Sequence, residues 1–264
     1  MAQKKTLNTF PIPNFFSSAK SIPLTQDGLF STMNKMGYMT KDLDPFSLKF
    51  IKLCADFQKP VLDIGAAYGV ATIPALMNGA TVIANDICDK HLQILQDLVP
   101  DKLKDYLITK PGQFPEEITF SSNSLSAVYS ARVFHFFKGT KIEESFKKIM
   151  DWLEPGGWFF LISETPYLND YKNFIPVFEK RKQNGFKWPG EIEDISKYNP
   201  CRLSNIPHSF NLLDPETVSK NLKEAGFQII EASYISRSDF PDDLKFDGRE
   251  SMAVIAKKPF MSVF

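Results

Sequence analysis

Cysteine is scarce in this chain, and neither sign of charge is in surplus. Cys54, Cys88 and Cys201 are the only three cysteines, far apart and at no metal-ligand spacing. An odd, scattered set argues against a disulfide framework and against a clustered metal site, and it fits a reducing compartment. Lys+Arg and Asp+Glu both number 31, so the net charge at neutral pH is zero. Sequence-independent nucleic-acid binding depends on neutralising phosphates with a cationic surplus, so no nucleic-acid partner is expected. No apolar run approaches the roughly 20 residues of a membrane span. Met1 to Thr9 is polar and lacks the apolar region of a signal peptide. A cytoplasmic protein with no membrane partner is the expectation.

What is present suits a globular protein. Of 264 residues, 43% are hydrophobic and 23% charged, ordinary values for a packed domain with an added cap or lid. The 24 phenylalanines suit either a phenylalanine-rich core or an aromatic-lined pocket.

The most informative stretch runs Val61-Leu62-Asp63-Ile64-Gly65-Ala66-Ala67-Tyr68-Gly69-Val70, followed by Val82-Ile83-Ala84-Asn85-Asp86-Ile87. It joins an apolar run, a small-residue turn, a helix-like segment and a second apolar run that ends in an acid. Asp86 stands 21 residues after Gly65, which in a βαβ unit brings a carboxylate beside the first strand's turn. There it can accept from ribose hydroxyls, so the segment reads as a nucleoside half-site. The rival for Asp86 is a solvated turn residue or a helix cap. A dinucleotide fingerprint needs glycine at 67 and 70, where Ala67 and Val70 stand. A P-loop needs Gly-Lys at positions 70 and 71, where Val70 and Ala71 stand.

The pattern Asp63-Ile64-Gly65-Ala66-Ala67-Tyr68-Gly69 resembles motif I of the class I S-adenosylmethionine-dependent methyltransferases, with Ala67 in place of the middle glycine. An alanine is tolerable there if its φ is negative. Four further pieces follow in the family's order: Lys110-Pro111-Gly112-Gln113-Phe114-Pro115, Ser126 to Phe136, Leu153-Glu154-Pro155-Gly156-Gly157 with the run to Ile162, and Glu224-Ala225-Gly226-Phe227. The similarity spans roughly residues 45 to 258. It implies S-adenosylmethionine as cofactor. It also implies cofactor contacts from Asp63 at the methionine end, from Gly65, Ala67 and Gly69 in the turn, from Asp86 at the ribose, and from Ile87. Gln113 and Phe114 would lie by the adenine, and Ala131 and Arg132 would follow the fourth strand. Arg132 is a candidate for holding either the cofactor's carboxylate or an acidic acceptor, with an ordinary surface arginine as the alternative. Asp63 has a structural alternative too, bonded to turn amides.

The alternation of strand and helix argues for a doubly wound parallel sheet. Expected strands are Val61–Ile64, Val82–Asn85, Tyr106–Thr109, Ala127–Ala131 and Trp158–Ile162, followed by an edge pair over Phe227–Ile235 and Met252–Ala256. The fold class is therefore α/β: a doubly wound, mostly parallel seven-stranded sheet with an antiparallel edge hairpin, an N-terminal helical cap and an insert after the fifth strand. Residues 1–44 form the arm and cap, and 45–264 the methyltransferase domain. Residues 1 to about 24 read as an extended arm or disordered tail. Residues 25–40 show loosely helical spacing in Leu29, Met33, Met36 and Tyr38.

Asp44-Pro45 and Asp214-Pro215 read as helix starts, with Gly226 stopping the second of those helices. Leu48, Ile51, Leu53 and Phe57 should form the inward stripe of the first. Asp89 is a candidate cap, and Thr140-Lys141-Ile142-Glu143 reads as a capping box. Pro155-Gly156-Gly157 should end that helix and turn the chain, and Pro74 should fall near the first turn of its own helix. Residues 165–213 are too long for a plain crossover and read as a substrate-side insert or lid, with a short helix around Phe174, Val177 and Phe178.

The acceptor side is less legible. His208 in the insert is a weak candidate for a general base. Tyr38, Tyr167 and Glu164 are comparable, and His135 reads as structural. By the resemblance, the absence of (D/N)-P-P-(Y/F) after the fourth strand counts against DNA base methylation. The reading is methyl transfer to a small-molecule acceptor. Its rivals are a catalytically inactive methyltransferase-like binding or regulatory module, kept open by Ala67, Gln113 and Ser126, and an NAD-dependent oxidoreductase.

Overall fold

The computed structural model describes residues 22, 24–25, 29–40, 42–198 and 206–260. The expected N-terminal arm lies almost wholly outside them, as does Cys201. Seven strands form the main sheet: β1 (Val61–Ile64), β2 (Val82–Asp86), β3 (Leu107–Pro111), β4 (Leu125–Ala131), β5 (Leu153–Glu164), β6 (Gln228–Ile235) and β7 (Ser251–Lys257). Their order is β6-β7-β5-β4-β1-β2-β3. β1 to β5 run parallel, and β7 lies antiparallel between β5 and β6. The order reverses at β1, between β4 and β2. In open α/β sheets such a reversal leaves a crevice at the strands' carboxyl ends.

Period-two alternation splits the core into two layers. Val61 faces a cluster with Phe46, Phe50, Ile73, Leu92 and Leu95. Leu62 and Ile64 face the other, with Ile142, Phe146, Ile149, Val218 and Leu222. The first layer holds α1 (Pro45–Leu53), α2 (Thr72–Met77) and α3 (Asp89–Leu98), and the second holds α4 (Gly139–Trp152). The insert contributes α5 (Ile175–Gln183), and α6 (Pro215–Glu224) joins α4.

Local chemistry explains most boundaries. Asp44 caps α1 by accepting from Phe46 N and Ser47 N at 2.9 and 3.0 Å, with Pro45 in the first turn. Asp214 caps α6 in the same way, accepting from Thr217 N at 2.7 Å. At the far end Gly226 takes φ +95°, and Phe227 N reaches back to Leu222 O at 3.0 Å, a Schellman closure. Pro74 is the third residue of the six-residue α2, where its missing N–H costs nothing.

Five expectations are corrected. Residues 30–39 form no helix: Phe30–Ser31 pairs with Tyr38–Met39 as a small antiparallel hairpin. The Thr32 hydroxyl accepts from Met36 N and donates to Gly37 O, at 3.2 and 3.0 Å. Such local bonds compete with a helix. The inward residues of α1 are Phe46, Phe50, Ile51 and Cys54, while Leu48 and Leu53 are half-buried. Asp89 is the first residue of α3 rather than its cap, and Cys88 caps it without a side-chain bond. α4 begins at Gly139 with no side-chain cap, so the capping box does not form. Glu143 is instead engaged by Trp188 Nε1 at 2.9 Å and Lys187 Nζ at 3.0 Å, both from the insert. Finally, Pro155-Gly156-Gly157 lies within β5. The helix stops earlier because Leu153 is already extended, and residues 154–157 bulge between the Leu125–Leu153 and Ala127–Trp158 pairings.

The insert, 165–213, packs on its own hydrophobic cluster, with Tyr167, Phe174, Phe178, Ile195 and Phe210 at its centre. Glu191–Ile192 pairs antiparallel with Phe210–Asn211. No helix among the described residues is long and apolar enough to cross a membrane. Phe174 is fully buried, so Phe174→Ala is expected to lower stability by about 3–5 kcal/mol, as truncation of a core aromatic does; urea denaturation measures it.

Candidate functional site

A cavity of about 380 Å³ lies where the strand order reverses, at the carboxyl ends of β1, β2 and β4. This is within the usual size range of small-molecule sites. Nine of the ten sequence-predicted cofactor residues line it: Asp63, Gly65, Ala67, Asp86, Ile87, Gln113, Phe114, Ala131 and Arg132. Gly69 does not.

The turn after β1 is shaped by packing as much as by any ligand. Gly65 has φ +72°, and a Cβ there would sit 2.3 Å from Val133 Cγ2. At Gly69, φ is +86° and a Cβ would meet Leu95 Cδ1 at 2.2 Å. Both glycines are thus demanded by backbone conformation and close neighbours, whereas the resemblance implied cofactor contact for both. Ala67 has φ +46°, contrary to the expected negative value. Its N–H donates to Asp86 Oδ2 at 2.9 Å, and that bond draws the alanine into the left-handed region.

Asp86 is buried at the end of β2. Besides Ala67, it accepts from Cys88 N at 2.8 Å and from His91 Nδ1 at 3.1 Å, both through Oδ1. His91 Nε2 itself accepts from Met33 N at 3.0 Å, so the imidazole proton sits on Nδ1. A carboxylate has about four acceptor positions, and the one left free is on Oδ2. Both alternatives from the sequence therefore apply in part: Asp86 bonds the residues that open α3 and keeps capacity towards the cavity. Sequence reasoning missed His91. It lies in the first turn of α3, which folds it back over Asp86, and nothing in its spacing marks a partner as distant as Met33.

Asp63 closes the inner end of the cavity. It accepts from Thr72 Oγ1 at 2.6 Å. Burial pushes its carboxyl up from 3.8 to about 7, with the Thr72 bond opposing and the Asp86 charge adding. Nearby, Ser47 Oγ bonds Asp44 Oδ2 at 2.6 Å and Tyr129 OH at 2.7 Å, a network no sequence motif announced. On the β3 side Gly112 N bonds Asp86 O at 3.0 Å and Gln113 N bonds Glu117 Oε2 at 2.7 Å, leaving the Gln113 side chain at the cavity wall. Phe114 is largely a core residue, packed among Phe134, Phe137 and Trp152. Ile87 is exposed at the rim. The N-terminal hairpin lies over the cavity and lines it with Thr32, Asn34, Met36, Tyr38, Met39 and Thr40.

A second cavity of about 70 Å³ adjoins the first, sharing Met36, Tyr38, Thr40, Arg132 and Phe136 as walls. His135 and Glu164 line it. His135 is buried and stacked on Phe210. Burial, then the Arg132 charge, pulls it down to about 3, so it is neutral and structural as expected. Burial pushes the Glu164 carboxyl up, with Arg132 opposing. His208 is exposed and lines neither cavity; its backbone carbonyl accepts from Ile195 N. Tyr167 also lines neither, and its hydroxyl bonds Glu179. Ser126 sits near the amino end of β4, far from the cavity, bonding Glu154 Oε1 at 2.6 Å and accepting from Lys59 N at 3.0 Å. Its departure from the family pattern is therefore architectural. Among the described residues no His/Cys/Asp/Glu group is placed to hold a metal.

A left-handed alanine is strained where glycine is not. Ala67→Gly is therefore expected to stabilise the protein by about 1 kcal/mol, read from the shift in a denaturant midpoint.

The family model for a methyltransferase domain matches residues 62–161. A comparison with curated proteins found no match. Among solved structures, a methyltransferase from Methanosarcina mazei superposes with TM-score 0.60 at 16% identity, over 83% of this chain and 99% of its own. One from Mesorhizobium loti gives 0.57 at 16% identity, over 80% and 97%. The glycopeptide N-methyltransferase MtfA, solved with S-adenosyl-L-homocysteine, gives 0.53 at 16%, over 81% and 86%. These likenesses carry the fold, which is the seven-stranded one derived above. Residues 62–161 thus match the model of a methyltransferase domain, and the chain shares the fold of solved S-adenosylmethionine-dependent methyltransferases.

Proposed function

We propose that this protein binds S-adenosylmethionine in the 380 Å³ cavity and transfers its methyl group to a small-molecule acceptor. The observation that carries the reading is Asp86, a buried carboxylate at the end of β2 with one acceptor position free beside the Gly65–Ala67 turn. That position suits a ribose hydroxyl. In this reading Gln113 meets the purine and Asp63 the positively charged methionine end, both from the cavity wall. The bound cofactor supplies a methyl group on a sulfonium; the chain supplies position and dryness. The hairpin lies over this cavity and the insert walls the smaller one beside it, which supports a small acceptor over a macromolecule. The unbridged Cys54 and Cys88 support a reducing, cytoplasmic setting.

An NAD site is disfavoured because Ala67 and Val70 stand where the dinucleotide fingerprint needs glycine, and because the short α2 begins only at Thr72, eight residues past β1's last residue. A non-catalytic module is the second reading, favoured by the three protein donors already on Asp86. Calorimetric titration separates these. S-adenosylhomocysteine should bind with micromolar affinity and NAD should not. Asp86→Asn should weaken the binding by about 1–3 kcal/mol, the scale of a hydrogen bond to a charged group. No binding of S-adenosylhomocysteine by folded protein would favour the non-catalytic module.

Asp63 gives a pH signature. Its carboxyl rises from 3.8 to about 7 in the folded state, so the native protein holds an extra proton between those values. Asp63 alone therefore makes stability decline as pH rises through that window. A cation arriving beside it reverses the shift. S-adenosylmethionine binding at pH 6 should release close to one proton, about 0.9 for a group with a pKa of about 7. Calorimetry in buffers of different ionisation enthalpy should show that release in the wild type and its loss in Asp63→Asn.

A further inference from the structure

Arg132 stands at the seam of the two cavities and lines both. Its Nη1 donates to Thr40 Oγ1 at 3.2 Å, and Arg237 Nη2 donates to the same oxygen at 3.3 Å. Arg237 is otherwise held by Asp239, at 2.8 and 2.6 Å. After these bonds Arg132 Nε and Arg237 Nη1 remain buried with no acceptor. No carboxylate among the described residues pairs with Arg132. Two guanidiniums share one hydroxyl, and the one carboxylate in direct contact, Asp239, serves Arg237, so Arg132 has only the more distant charges of Glu164, Asp44 and Asp239. The strain shows in Arg132, which burial and then the Arg237 charge pull down to about 10.

The second cavity lies on the far side of this pair. Tyr38, Phe136, Phe210 and Phe240 give it aromatic walls. Its 70 Å³ has room for roughly five to seven waters, so it takes a compact group. Glu164 and Asp170 also face it. Burial pushes the Glu164 carboxyl up, with the Arg132 and Arg237 charges opposing and Asp170 adding, so its negative charge is weakened on the side where a carboxylate would enter.

We propose that the second cavity receives a carboxylate-bearing acceptor whose carboxylate is held by Arg132 beside Thr40, with its apolar part on the aromatic walls. This rests on the methyltransferase reading and names the acceptor class for the same site. A guanidinium is the side chain best shaped for a planar carboxylate.

The test is calorimetric titration of the full chain, free and saturated with S-adenosylhomocysteine. The probes are formate, acetate, propionate and benzoate, with benzylamine and benzyl alcohol as controls matched in size. At least one carboxylate should bind saturably, benzoate at least tenfold tighter than either control. Arg132→Met should weaken that binding at least tenfold while 5′-methylthioadenosine affinity and the far-UV circular dichroism are kept, which certifies the fold. Arg132→Lys, which keeps the charge but not the planar fork, should fall between. Tighter binding of benzylamine would mean that Glu164 and Asp170 select an amine, and the proposal fails. It also fails if no carboxylate binds either form of the wild type. A third result overturns it: Arg132→Met weakens S-adenosylhomocysteine tenfold but leaves 5′-methylthioadenosine unchanged, which would give Arg132 to the cofactor's own carboxylate. Failure of S-adenosylhomocysteine to bind defeats the methyltransferase reading separately, since the carboxylate titrations on the free protein still stand or fall alone.

Discussion

The buried carboxylate of Asp86 ties together parts of the chain that have no other reason to meet. Through three donors it fixes the turn after β1, the start of α3 and, by way of His91, the N-terminal hairpin. A buried acid is tolerable only when its oxygens are met, so the surrounding backbone is arranged around it. The left-handed conformation of Ala67 follows from that demand. So does the tautomer of His91, because an imidazole nitrogen that accepts from Met33 leaves only the other to carry the proton.

The sheet supplies the frame for this arrangement. Placing β4 and β2 on either side of β1 brings Asp63, Asp86 and Arg132 to one edge. The two core layers then hold that edge rigid, with α2 and α3 in front and α4 and α6 behind. The cavity is a by-product of topology, and its chemistry depends on which residues end each strand. Charge is distributed unevenly there: an acid whose carboxyl burial pushes up to about 7 at the inner end, Asp86 beside the turn, and the Arg132 guanidinium at the seam with the second cavity.

Much of this was legible where local rules decide. The Asp63-to-Asp86 unit, the Asp-Pro starts of α1 and α6 and the Gly226 stop all rest on interactions within a few residues, and they hold. The central strands β1, β2, β4 and β5 were legible because buried parallel strands are continuous apolar runs, whereas the edge strands β3 and β6 are half-exposed and rest on their place in the alternation. Legibility ended where a distant segment competes. Thr140 to Glu143 satisfies the capping-box pattern, but Trp188 and Lys187 take the glutamate from some 45 positions away in the insert. The hairpin at 30–39 has strands of two residues, too short to show any period. His91, Tyr129 and Ser47 carry no motif, and only folding brings them to the cavity. Ser126 shows the reverse: a departure from the family pattern that structure moves away from the cavity altogether.

The hairpin over the cavity has an energetic character unlike the sheet beneath it. Its own strands share two residue pairings, and Met33 N to His91 Nε2, Tyr68 OH to Ser31 O and the packing of Phe30 on Tyr68 and Val70 join it to the body, whereas β5 and β7 share seven pairings. Local opening free energies scale with what must be broken. Opening the cover would break fewer bonds than opening the sheet, so it is the cheaper of the two. Because His91 also bonds Asp86, each lifting leaves the imidazole with one partner fewer and loosens the carboxylate that the cofactor would use. The doorway and the binding floor thus share a hinge pin, and traffic through one is felt by the other.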